Sequence, residues 1–131
     1  MALIGLRDLD KREQERIRES GVLAITMSEI DRQGLATAFE SAIAAVTRDT
    51  DGFCLSFDMD AVDPAEAPGV GTPVAGGLTY REAYLLMEMV AESGRLLGID
   101  LVEVNPSLDH ENATAELAAQ LALSALGHRI L

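Results

Sequence analysis

One lysine and one cysteine stand in these 131 residues, and basic residues are scarce throughout. A lone Cys54 cannot close an internal disulfide, which excludes a disulfide-stapled secreted scaffold and fits a reducing compartment. Cys54 lies in the apolar run FCLSF and reads as a packed thiol rather than a nucleophile. No apolar run approaches the roughly 20 residues that cross a bilayer. Charge begins at Arg7 with no apolar signal core before it, so a soluble, cytoplasmic protein is expected. Lysine and arginine total 10 against 22 aspartates and glutamates, a net charge of −12. Nucleic acid and anionic membrane surfaces both select the opposite sign, so neither is an expected partner.

What is present is a foldable chain of one domain's size, with 48% apolar residues. Short apolar runs at ALIGLR (Ala2–Arg7), VLAITM (Val22–Met27), FCLSF (Phe53–Phe57) and LLGIDLVEV (Leu96–Val104) are apolar at successive positions. Strands covered on both faces have this pattern. Helical spacing lies between them. A charged helix is predicted over Asp10–Ser20, ending at Gly21. A longer one is predicted over Ser28–Thr47, with Ile30, Leu35, Ala38, Phe39, Ala42, Ile43 and Val46 at helical spacing. A third opens on the capping box Thr79-Tyr-Arg-Glu82 and closes near Gly94, and a fourth spans Asn112–Leu126. This alternation predicts an α/β fold, a parallel sheet flanked by helices. The connection Ala61–Leu78 holds three of the four prolines and is long for a strand-to-helix loop, a common mark of function.

Acids collect where strands end: Asp8 and Asp10, Glu29 and Asp31, Asp58, Asp60 and Asp63, and Glu103. Ligands in parallel α/β sheets sit at the carboxyl ends of strands. Ser28, Glu29 and Asp31 read as helix caps. Asp58, Asp60 and Glu103 have no helix starting soon enough for that role. On a strand, Asp58 and Asp60 would share a face about 6.6–6.8 Å apart. Carboxylates that converge repel one another unless a cation joins them, and hard divalent ions prefer such oxygen donors. Solvated turn acids are the plainer alternative. The run LSFDMDAV also fits the D-x-D-x-[TV] pattern of haloacid-dehalogenase phosphatases, which need a lysine. Here the only lysine is Lys11, within a highly charged helix, and no later acidic pair has suitable spacing. The segment GVGTPVAGG (Gly69–Gly77) lacks the G-K-[ST] ending of a phosphate loop and reads as a close-fitting loop beside the cation site.

In order along the chain, GLRDLD, SFDMDAVDP, GVGTPVAGGLTYRE and LVEVNPSLDH resemble the arginases of the ureohydrolase family. EVNP favours arginases over the related agmatinases. The resemblance implies a three-layer α/β/α domain that hydrolyses L-arginine to ornithine and urea with two manganese ions. By it, Asp58 and Asp60 match late metal ligands, Glu103 the partner of the substrate guanidinium, and Asp10 the receiver of its α-amino group. Thr72 matches a threonine lining the pocket near the reacting centre. The family's histidine-bearing metal motifs, G-D-H and D-A-H-x-D, are absent, and His110 and His128 read as solvated residues. Residues 1–131 therefore read as a single segment, the C-terminal half of such a domain truncated to about four strands, with Met1 an added start.

The resemblance also places one of the absent strands between the first and third strands here. Its loss leaves two strand pairs with unpaired edges. Without the other ligands the chain alone is expected to bind manganese weakly and to be inactive, associating with a missing N-terminal half or with itself as a homo-oligomer. A non-catalytic, self-associating scaffold is the alternative.

Overall fold

The protein is described by a computed structural model covering residues 1–129. Strand β1 (Ala2–Leu6) leads through helix α1 (Lys11–Ser20) to β2 (Leu23–Thr26). Helices α2 (Met27–Gln33) and α3 (Leu35–Val46) precede β3 (Phe53–Asp58) and a 3-10 turn at Met59–Ala61. After the long loop come α4 (Tyr80–Glu92), β4 (Leu96–Val102) and α5 (Ala113–Ala125). Parallel strands flanked by helices are thus observed, as the alternation predicts.

Local signals account for most boundaries. The Asp10 carboxylate accepts from the amides of Arg12 and Glu13, and Glu13 bonds back to the Asp10 amide. This capping box starts a helix with no buried residue, and Gly21 stops it in the left-handed region at φ 69°. Thr79 and Glu82 form the expected box at the start of α4.

The predicted helix over Ser28–Thr47 is instead two helices. Gly34, at φ 83° and ψ 147°, lies outside the helical region and breaks the run between Gln33 and Leu35. The cap of α2 is Thr26, not Ser28. Glu29 closes that box, and the Thr26 amide followed by the Thr26 hydroxyl hold its carboxyl below the usual range.

The helices bury one stripe each, Leu35, Ala38, Phe39 and Ala42 on α3 and Ala83, Leu86, Met87 and Val90 on α4. These meet Ile25, Phe53, Phe57, Met59, Leu117 and Leu121 in one continuous core. Burying each large aliphatic there contributes about 1.5–3 kcal/mol before chain entropy is charged against it.

The strands form two separate parallel pairs, β1 with β2 and β3 with β4. Unpaired edges are therefore present, as the expected strand order requires. The expectation that all strands are covered on both faces does not hold for β3. Phe53 and Phe57 are buried while Cys54, Ser56 and Asp58 are exposed. Cys54 is thus an exposed thiol rather than a packed one. Alternating side chains take opposite faces, and nothing among the described residues covers the second face.

Candidate functional site

The carboxyl ends of β1 and β3 face each other across a cavity of about 310 Å³. Its lining includes Gly5, Arg7, Asp8, Asp58, Asp60 and Thr72. Asp58 and Asp60 both line it, though not as alternating residues of one strand. β3 ends at Asp58, and Asp60 lies in the following 3-10 turn. Asp58 does serve as a cap, contrary to the reading that no helix is near enough: its Oδ1 accepts from the Asp60 amide at 2.8 Å. The turn takes Asp60 off the extended path that strand alternation assumes.

Asp60 has two unlike oxygens. Oδ2 accepts a short hydrogen bond from the Thr72 hydroxyl. Oδ1 is buried without a hydrogen-bond partner. A buried carboxylate oxygen left unpaired costs free energy, so this position invites a cation. Behind it, the Arg7 guanidinium donates to the carbonyl of Asp60 and, from Nε and Nη2 at 3.1 and 2.7 Å, to the carbonyl of Val74. Sequence reading did not assign a role to Arg7 or to Asp8. The signal available was a cation placed directly before the strand-end acids in GLRDLD.

Glu103 follows β4 directly and holds φ 67°, an uncommon conformation for a residue with a side chain. Its Oε2 would lie 3.6 Å from a Cβ built on Gly71, which places this carboxylate beside the residue preceding Thr72. Asp10 is engaged as the α1 cap and does not line the cavity. The structure thus brings Asp58, Asp60 and Thr72 together, sets Glu103 next to their loop, and keeps Asp10 apart.

Two carboxylates secure the surrounding loops. Asp63 accepts from the amides of Ala65, Gly76 and Gly77, joining both ends of the 61–78 loop. The Ala65 and Gly76 amides hold its carboxyl below the usual range. Asp109 caps α5 from upstream through the amides of Thr114 and Ala115 at 3.0 and 3.1 Å. Burial pushes this carboxyl up, but those amides pull it further down, so it lies below its ordinary value.

A folded-state pKa below the unfolded one contributes stability that is complete above the unfolded value, near 3.9, and lost as pH falls through the folded value. Asp109→Asn should therefore lower stability at pH 7, with the gap to wild type closing below about pH 4. Urea unfolding at pH 7, 4 and 3 checks this, and a constant gap would contradict it.

Among the described residues, no cluster of three or more histidine, cysteine, aspartate or glutamate side chains could hold a metal. His110 is an exposed loop residue, and His128 lines a different cleft of about 680 Å³ between α4 and α5. In that cleft the polar groups pair with one another. Tyr80 and Tyr84 both donate to Gln120, while Arg81 and Arg129 meet Glu88 and Glu92. Burial, with the Tyr80 hydrogen bond, pushes Tyr84 up to about 12, so it stays protonated at neutral pH. The smaller cavity, by contrast, holds carboxylates that are not paired with cations among the described residues. Its donors, carboxylate oxygens with one orphaned, fit a hard divalent ion, and two such ligands leave the rest of the shell to other groups.

Comparison with known proteins identifies the family. The model of the Arginase family matches residues 1–127. Curated arginases of Bacillus caldovelox and Brevibacillus brevis are 49% and 48% identical over all of this chain, which spans 44% of each. The crystal structure of arginase from Bacillus subtilis superposes with a TM-score of 0.94 at 46% identity, covering 99% of this chain and 45% of that one. The chain belongs to the arginase family. It spans less than half the length of the curated relatives it matches.

Proposed function

We propose that residues 1–131 form one segment of an arginase-type domain and supply part of a manganese-dependent centre that hydrolyses L-arginine to ornithine and urea. The buried, unpartnered Oδ1 of Asp60 in a cavity shared with Asp58 and Thr72 carries this reading. Asp58 and Asp60 would hold manganese, which when bound supplies a nucleophile from water near neutral pH. Glu103 presents a planar carboxylate suited to paired hydrogen bonds with a guanidinium. Thr72 orients Asp60 through its hydroxyl. Asp10 would receive the substrate α-amino group once a fuller site brings it within reach. The net charge of −12 draws both the metal and a cationic substrate. A single exposed thiol suits the reducing cytoplasm.

Two carboxylates without histidines bind manganese weakly, so this chain alone should release no urea from arginine. Supplying a polypeptide with the remaining metal ligands should restore manganese-dependent release. Urea assays on the chain, the complement and the mixture decide it, and release by the chain alone would refute the claim of inactivity. Calorimetric titration with manganese should rank Asp58→Asn well below Asp63→Asn, because Asp63 serves only backbone amides. The reverse ranking would mean that the ligands are wrongly assigned.

A self-associating scaffold is favoured by a separate observation. Two short parallel pairs leave open edges, and Leu97 on β4 is 68% exposed. Light scattering after size exclusion should show a homo-oligomer for the chain alone, converting to a defined complex when the complement is added. A monomer at all concentrations would remove that reading.

A further inference from the structure

We infer that Arg7 is a positioning residue for the carboxylate pair, a clamp across the split sheet that fixes the direction of the free oxygen of Asp60. This rests on the metal role proposed for Asp58 and Asp60. Three features of the chain carry it.

The first is how Arg7 is aimed. The β1–β2 register shifts between Ile4 and Leu6, and the intervening Gly5 sits at φ 83°. A bulge of this kind bends a strand and re-aims the side chains that follow. Arg7 is the second residue after it.

The second is what Arg7 holds. Its guanidinium bonds the carbonyls of Asp60 and Val74, which lie 53 and 67 residues away in sequence. Thr72, two residues before Val74, bonds Asp60 Oδ2. Arg7, Asp60, Thr72 and Val74 therefore form a closed ring. Its consequence is directional: with the backbone of Asp60 held by Arg7 and Oδ2 held by Thr72, the directions open to Oδ1 are narrowed.

The third is the chemistry of the clamp. Arg7 bonds two carbonyls rather than a carboxylate, so it supports the carboxylates without occupying their oxygens. The planar guanidinium, with several donors in fixed directions, can serve two carbonyls at once, whereas a lysine ammonium on a flexible stem holds its donors at a single point.

Groups that orient metal ligands typically change metal affinity by 10–100-fold when removed. Arg7→Ala should weaken manganese binding by this chain about tenfold, and Arg7→Lys should recover little of the loss. The probe is manganese alone, followed by calorimetry and by paramagnetic broadening of the Asp58 and Asp60 amide resonances. Amide hydrogen exchange is read alongside, at Asp60 and Gly76 near the clamp and at the β3–β4 ladder away from it.

Support requires weakened binding and faster exchange at Asp60 in Arg7→Lys, with ladder protection unchanged. Equal manganese affinity in wild type and Arg7→Lys overturns the clamp. So does loss of protection throughout β3–β4, which would make Arg7 a general stabiliser. Should wild type show no broadening at Asp58 and Asp60, the metal reading fails by itself. The clamp is then judged by exchange: faster exchange confined to Asp60 and Gly76 in the variant sustains it, and unchanged exchange ends it.

Discussion

Gly69→Ala is expected to destabilise the fold by about 3 kcal/mol, while Gly71→Ala, two residues on, is expected to be nearly silent for stability. A Cβ built on Gly69 would lie 2.5 Å from Cβ and Cγ of Asp109 and 2.7 Å from its Cα. Backbone is involved, so a rotamer change cannot relieve the clash. Gly69 also donates its amide to the buried Thr114 hydroxyl at 2.7 Å and accepts at its carbonyl from the Asn105 amide at 2.7 Å. Displacing it strands at least one buried polar group, at about 1–3 kcal/mol, in addition to the overpacking cost of similar size.

At Gly71 the nearest neighbour of such a Cβ is Glu103 Oε2 at 3.6 Å, an ordinary contact. Urea unfolding should show the Gly69→Ala midpoint lowered by roughly 1–3 M, given slopes of about 1–3 kcal/mol per molar urea. Equal midpoints for the two variants would show that the loop yields at Gly69. The functional consequence follows from what Gly69 joins. One of its partners, Asn105, is two residues beyond Glu103, and Thr72 is three residues beyond Gly69 itself. The contact thus sets the spacing between the two loops proposed to handle metal and guanidinium.

The features legible in the sequence were those decided within a few residues. Thr79 and Glu82 announce the start of α4 because both halves of the box lie within one helical turn. Four apolar runs become four strands for a similar reason, and their parallel pairing follows from the helices between them. The break at Gly34 is hidden because Ile30, Leu35, Ala38 and Phe39 stay in helical phase across it. Periodicity reports burial, and the two helices share the buried series, Ile30 on α2 and Leu35, Ala38 and Phe39 on α3. For Asp58 and Asp60 the alternation rule applied only while the strand lasted, and the strand ends at Asp58.

Whether Cys54 is packed depends on what covers the second face of β3, which no property of FCLSF specifies. The same is true of the site's most informative atom. Asp60 Oδ1 is left without a partner while Thr72 bonds Oδ2 and Arg7 bonds the Asp60 carbonyl, contacts made from 12 and 53 residues away. Type and approximate location of the acids could be read from sequence, whereas their satisfaction is a tertiary property.

Asp60→Asn separates the two roles a buried carboxylate can have, because it predicts effects of opposite sign. The amide keeps an oxygen to accept from Thr72, so the ring around the turn survives. It replaces an unpaired charged oxygen with a neutral group and removes one negative charge from the cavity shared with Asp8 and Asp58. Desolvating a neutral group costs less than desolvating a charge, so the metal-free variant should match wild type or gain up to about 1 kcal/mol.

Manganese binding should nonetheless fall below detection, since an amide oxygen is a far weaker ligand than a carboxylate. Mass action makes the contrast measurable in one experiment. Wild type should gain about 1.4 kcal/mol of stability at a manganese concentration ten times its Kd, and Asp60→Asn should gain nothing at the same concentration. If the variant were instead less stable without metal and still gained from manganese, Asp60 would be a structural acid and the cation would sit elsewhere. Matching stability without metal, together with loss of the manganese response, would identify Asp60 as a residue whose unpaired oxygen persists for binding rather than for folding.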